Sequence, residues 1–141
     1  MKKIISLLAI SMLALSACGQ AGAQTSTQTG PAKVTVTMNE WAVNLSQATI
    51  PAGKVTFVLK NTGTITHELI IAKTDLAQDK LPMQSEDPLK VDESASIGEI
   101  GDVDAGQTKE DIFDLAPGSY ILMCNEQSHY MAGMHIAFTV K

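Results

Sequence analysis

The sequence predicts an all-β fold, a β-sandwich or barrel, and three observations carry that prediction. From Lys33 onward apolar residues alternate with polar ones in short runs. Gly, Pro and Asn turn signals separate the runs, and only one segment carries a helix signature. Residues two apart on a strand share a face, so each run offers one apolar row to a core.

The runs follow in order. Val34, Val36 and Met38 alternate with Thr35 and Thr37; Trp41, Val43 and Leu45 form the next row. Pro51-Ala52-Gly53 turns the chain into Val55, Phe57 and Leu59. Asn61-Thr62-Gly63 is a second turn, after which His67 opens the strand through Ala72. Residues 74–81 read as a short helix capped by Thr74 and stopped by Pro82. Between Lys73 and Gly106 lie Glu86, Asp87, Asp92, Glu93, Glu99, Asp102 and Asp104, opposed only by Lys90 beyond the helix. The acidic segment 86–114 thus has two readings, a solvated loop excursion or an acidic docking face. Ala116-Pro117-Gly118 turns into the strand Ser119–Cys124, and His135–Val140 is the last strand.

The N-terminus is of another kind. Met1-Lys2-Lys3 is basic, and residues 4–15 are almost wholly apolar but too few for a stable membrane span. This is a secretory signal. Leu15-Ser16-Ala17-Cys18 resembles a bacterial lipobox, which implies cleavage before Cys18 and lipid attachment to that cysteine; the alternatives are cleavage near Ala23 or an uncleaved anchor. The domain reading is therefore a signal over 1–17, a lipid-anchored flexible tether over 18–32 and one folded domain over 33–141. The tether is small, polar and uncharged, and about 14 residues of such coil reach on the order of 20 Å. This places the domain outside the cytoplasm, on the periplasmic or extracellular side of a bacterial membrane.

Composition excludes some functions. Removal of Lys2 and Lys3 with the signal takes the formal net charge from −5 to −7, and the chain has no arginine. No basic stripe exists to neutralise phosphates, so nucleic acid is excluded as a partner. A cationic protein partner suits the charge. The chain has two cysteines. With Cys18 lipidated, Cys124 has no disulfide partner, and an exported lone thiol oxidises unless buried or bound to metal.

Cys124 has informative neighbours. His129 and Met134 follow it at five-residue steps, and His67 lies far upstream. Two His, one Cys and one Met are the donor set of a blue-copper site: the thiolate is soft, imidazole suits either copper state, and thioether is a weak axial ligand. Strand phase supports the grouping. His67 shares a row with Leu69 and Ile71, Cys124 with Leu122 and Tyr120, and Met134 with Ile136, Phe138 and Val140. His135 is out of phase and is set aside.

Over Lys33 to Lys141 the chain resembles the cupredoxins, the family of plastocyanin, pseudoazurin, azurin and the sulfocyanins. The motifs are Asn-x-Gly-x3-His ending at His67, Pro-Gly-x-Tyr before the cysteine, and Cys-x4-His-x4-Met. The resemblance implies a Greek-key sandwich holding one type 1 copper on His67, Cys124, His129 and Met134. It implies a tyrosine corner at Tyr120 and an electron port where the His129 edge nears the surface. Two departures stand out. Glu68 replaces the asparagine common after the first histidine, where its backbone N–H can still donate to the sulfur. Glu126-Gln127-Ser128 lacks the proline common in the loop, which frees a second N–H for the sulfur and favours Cu(I).

The resemblance thus implies a monomeric, membrane-tethered one-electron carrier serving a redox protein such as a cytochrome or oxidase. The alternative is a copper-handling protein (a chaperone, store or resistance factor). A metal-free interaction module is a third reading. An enzyme is disfavoured, because three histidines cannot furnish the additional copper sites of the oxidases and nitrite reductases, and no Cys-x3-Cys pair exists for a dinuclear centre.

Overall fold

The structure, a computed structural model, describes residues 30–141. The signal over 1–17, Cys18 and the tether up to residue 29 lie outside the described residues. Nine strands make up the described chain: β1 (Ala32–Asn39), β2 (Ala42–Leu45), β3 (Thr49–Ile50), β4 (Gly53–Asn61), β5 (His67–Lys73), β6 (Ser96–Val103), β7 (Thr108–Leu115), β8 (Gly118–Met123) and β9 (His135–Val140). They form two mixed sheets, β2-β1-β4-β7 and β3-β9-β8-β5-β6. The all-β sandwich expected from the sequence is the observed fold.

The core lies between the sheets and is built from the predicted rows. Val34, Val36, Met38, Val55, Phe57 and Leu59 of the first sheet meet Leu69, Ile71, Tyr120, Leu122, Phe138 and Val140 of the second. Phe57 packs edge-on to Phe138 with centroids 5.5 Å apart. The Tyr120 hydroxyl donates to the Ala116 carbonyl at 2.7 Å, closing the corner before β8.

Three expectations are corrected. No α-helix forms over residues 74–81; the only helical element among the described residues is a 3-10 turn at Glu93–Ala95. The Thr74 hydroxyl does accept from Leu76 N, as a cap should. The helix fails to propagate because its backbone groups are used elsewhere. Tyr130 Oη donates to Gln78 O at 2.8 Å and accepts from Leu81 N at 3.0 Å, and the Gln78 side chain accepts from Ala137 N of β9.

The stretch after residue 73 is not simply a solvated excursion. Leu81 and Val91 pack with Ile70, Ile121, Met123 and Tyr130 in a second apolar cluster. These strand residues are out of phase with the main core, so the segment covers the outer face of the second sheet. That is why β5 and β8 are buried on both faces. Beyond it the acidic stretch pairs as strands: β6 against β5 and β7 against β4. Trp41, finally, is not a strand residue. It stands in the β1–β2 turn and is 53% exposed.

The topology gathers several chain ends at one pole. β5 runs antiparallel to β8, and β8 antiparallel to β9. The start of β5, the end of β8 and the start of β9 therefore lie together. β1 runs parallel to β4, with Met38 opposite Asn61. This brings the β1–β2 turn beside the 62–66 loop that leads into β5. No helix among the described residues is long and apolar enough to cross a membrane.

Candidate metal centre

Each element delivers one side chain to that pole. His67 is the first residue of β5, and a register irregularity between His67 and Leu69 sets it off from the ladder to β6. Asn61 shapes the loop before it. Its side chain donates to Ile65 O and Val103 O, both at 2.7 Å, and accepts from Gly63 N at 2.9 Å. Cys124 follows β8 directly, and Met134 precedes β9. Cys124 N donates to Met134 O at 3.0 Å, so the loop between them closes at its base. Within the loop Met134 N donates to His129 O at 3.1 Å. Gly133 takes φ +102°, a backbone region L side chains rarely adopt, which lets the loop turn there.

The sulfur of Cys124 lies 3.2 Å from His129 Nδ1 and 3.8 Å from His67 Nδ1. The two imidazole centroids are 5.1 Å apart. His67 and Cys124 are fully buried, Met134 is fully buried beside them, and His129 is 7% exposed. The four predicted residues thus come together, while His135 turns away to pack on Tyr130 at 4.7 Å.

Electrostatics favour neutral donors in the metal-free pole. Burial pushes the Cys124 thiol up to about 11, against the opposing pull of the Glu68 and Glu126 backbone N–H groups. Burial lowers the pKa of His67 and His129; for His67 the neighbouring His129 lowers it further. A thiol and two neutral imidazoles with converging lone pairs in a dry site fit a soft metal ion. Donors bonded at about 2.0–2.3 Å to one metal stand about 3–4 Å from each other, and the observed separations lie in that range. Two of the nitrogens converge as Nδ1, leaving the opposite nitrogen of His67, Nε2, buried without a hydrogen-bond partner. The donor set is that of a single type 1 copper.

Of the two expected sulfur hydrogen bonds, the one from Glu68 is present: Glu68 N donates to Cys124 Sγ at 3.5 Å. The Glu126 backbone N–H also holds the thiol down. The Glu68 side chain is pushed up to about 7 by burial and then by Glu126. Carboxylate oxygens of Glu68, Asp102 and Glu126 lie within 4.8 Å of one another beside the pole.

Four contributors escaped the sequence reading. Asn125 is fully buried; its side chain accepts from Val91 N at 2.7 Å and donates to Val91 O and Glu93, clipping the outer cover to the ligand loop. Ser128 N adds a bond to Leu89 O at 2.9 Å. Trp41 lies edge-on to His129 at 5.3 Å. Of the four predicted ligands, His129 alone keeps some exposure, 7%, and the tryptophan stands beside it. Glu40 stands on the other histidine, with Oε1 3.7 Å from His67 Nε2. Its carboxyl is held down at about 2, first by the backbone N–H of Thr64. No local motif announces any of these, since each acts on a residue distant in sequence.

The chain matches the family model for the cupredoxin-like domain over residues 5–137. No curated protein sequence matches it. Its fold is similar to dithionite-reduced auracyanin from the photosynthetic bacterium Roseiflexus castenholzii, with 25% identity, a TM-score of 0.59, and 79% of this chain and 99% of that one covered. It is similar to auracyanin A, a blue copper protein of Chloroflexus aurantiacus, at 22% identity and TM-score 0.57, covering 79% and 100%. Rusticyanin from Thiobacillus ferrooxidans shares the fold at 17% identity and TM-score 0.59, covering 77% and 76%.

Proposed function

We propose, from the premise that this chain belongs to the cupredoxin-like family, that it is a one-electron carrier tethered to the outer side of a bacterial membrane. His67 and His129 hold the copper through Nδ1, Cys124 through its thiolate and Met134 through its thioether. The observation that carries the reading is the approach of both Nδ1 atoms to one buried sulfur, at 3.2 and 3.8 Å. Bound there, copper supplies a one-electron couple. The chain's part is to hold the donors still: strand ends fix three of them, and the Cys124–Met134 backbone bond closes the loop that carries the fourth. Little rearrangement then accompanies a change of charge.

Exchange takes place over the His129 side of the pole. Trp41 and Met131 are each 53% exposed there, and the acids Glu68, Asp102 and Glu126 lie beside the same centre. An apolar contact with an acidic flank suits brief docking of a cationic redox protein, such as a cytochrome or oxidase. Rising salt then slows exchange. Cys18 carries the lipid, and the tether from there to the start of β1 at Ala32 gives the domain its reach.

The test is to add Cu(II) to the full chain. An intense blue band with a reversible one-electron couple, both lost in Cys124→Ser, supports the reading. Ready release of the copper to a second protein supports copper handling instead. Mass analysis of the mature chain checks the lipid on Cys18.

A further inference from the structure

The β1–β2 turn places a carboxylate on the far side of the first imidazole. Glu40 Oε1 is 3.7 Å from His67 Nε2, just beyond hydrogen-bond length. That nitrogen is fully buried and has no partner within bonding distance. A buried N–H left unpaired is costly, and the carboxylate is the acceptor within reach.

The carboxylate is itself tightly placed. Oε1 accepts from Thr64 N at 2.6 Å and Ile65 N at 3.0 Å, with the Thr64 hydroxyl at 3.4 Å. Gly63 makes the space: a Cβ there would collide with both oxygens and the carboxyl carbon of Glu40. The loop leading into His67 is therefore wrapped around this acid, and a side chain at residue 63 would have to push the Glu40 carboxylate aside.

We propose that Glu40 is a positioning residue of the metal centre: its carboxylate takes the Nε2–H of His67, fixes the tautomer that presents Nδ1 to the metal, and favours the more highly charged copper state. The inference rests on the copper reading above. A metal-bound histidine commonly donates its other ring N–H to a carboxylate or carbonyl, which orients the ring and makes it a stronger donor. A fixed negative charge beside that ring stabilises Cu(II) over Cu(I) and so lowers the reduction potential.

A purely structural role, stapling the 62–66 loop, is the competing account. Glu40→Gln separates the two, because the amide oxygen still accepts from Thr64 and Ile65 while the charge is lost. The expected result is a blue protein whose preference for Cu(I) has risen about tenfold, which is about 59 mV for a one-electron couple. Gly63→Ala, which displaces the carboxylate without removing it, should shift the potential in the same direction.

The second measurement needs no copper. Nitrogen-15 NMR of the metal-free chain should show His67 with its proton on Nε2, retained in Glu40→Gln, whose amide oxygen still accepts, and a mixture of tautomers in Glu40→Ala, which removes the acceptor. An unchanged or lowered potential in Glu40→Gln overturns the inference. So does an unaltered His67 tautomer in Glu40→Ala. A wild-type chain that never turns blue would instead refute the copper reading, and the NMR result would still decide the role of Glu40.

Discussion

Trp41 and His129 meet edge to face, with ring centroids 5.3 Å apart and planes at 78°. The tryptophan is half exposed while the imidazole beneath it is buried. It is also the chain's single tryptophan, so its fluorescence reports on this one place. Loading with Cu(II) should quench most of that emission, and reduction to Cu(I) should restore part of it. A fluorescence titration checks this. Trp41→Ala should cost about 1 kcal/mol from the lost aromatic contact and expose His129, changing the rate of electron exchange while the blue band persists.

The metal-free centre holds its proton on sulfur. Burial raises the Cys124 thiol to about 11 and lowers both ligand histidines. At pH 7.5 the thiol is protonated and the imidazoles are neutral. Copper uptake should therefore release about one proton, all of it from Cys124. Calorimetry in buffers of different ionisation enthalpy measures the number.

Glu68 gives the metal-free protein a pH dependence of unusual sign. Its carboxyl titrates near 7 in the folded chain, chiefly through burial, against 4.5 ordinarily. Between those values the folded state keeps a proton that the unfolded chain has lost. Stability from this group is thus full below about pH 4.5 and falls as pH rises towards 7. Denaturant unfolding of the metal-free chain between pH 5 and 7.5 should show the decline, and Glu68→Gln should flatten it.

The Glu126 backbone N–H holds the Cys124 thiol down beside the Glu68 one, and Glu126→Pro removes it. Removing the donor returns charge to the thiolate and favours Cu(II). The reduction potential should fall, on the order of 60 mV for a tenfold change in preference. Voltammetry decides it.

Tyr120 should matter to the fold and not to the metal. Tyr120→Phe loses the 2.7 Å bond to Ala116 O. The expected cost is about 1 kcal/mol in chemical unfolding, with an unaltered blue spectrum.

Much of this was legible because strand phase is local. His67, Cys124 and Met134 each lie in line with an apolar row, and those rows form the core. β6 and β7 were hidden for a physical reason. β7 is exposed along nearly all its length, and β6 carries two glycines, so neither shows a clean alternation. Their strand state comes from pairing with β4 and β5, a tertiary effect that outweighs local preference. Residues 74–81 show the converse: a good cap and period were overruled by Tyr130, fifty residues away in sequence. Glu40 and Trp41 reach the histidines only because β1 and β4 run in parallel.

The bond from Cys124 N to Met134 O sits directly above the last β8–β9 pair, Met123 with His135. Everything between them hangs from a fixed neck. The register of β8 and β9 is set at that neck, while Asn125, Ser128 and Tyr130 bind the segment to the outer cover of the second sheet. Only Met131 and Ala132, exposed at the tip, are free of those ties, so a change of redox partner is open to evolution or a protein engineer there without loosening the cover.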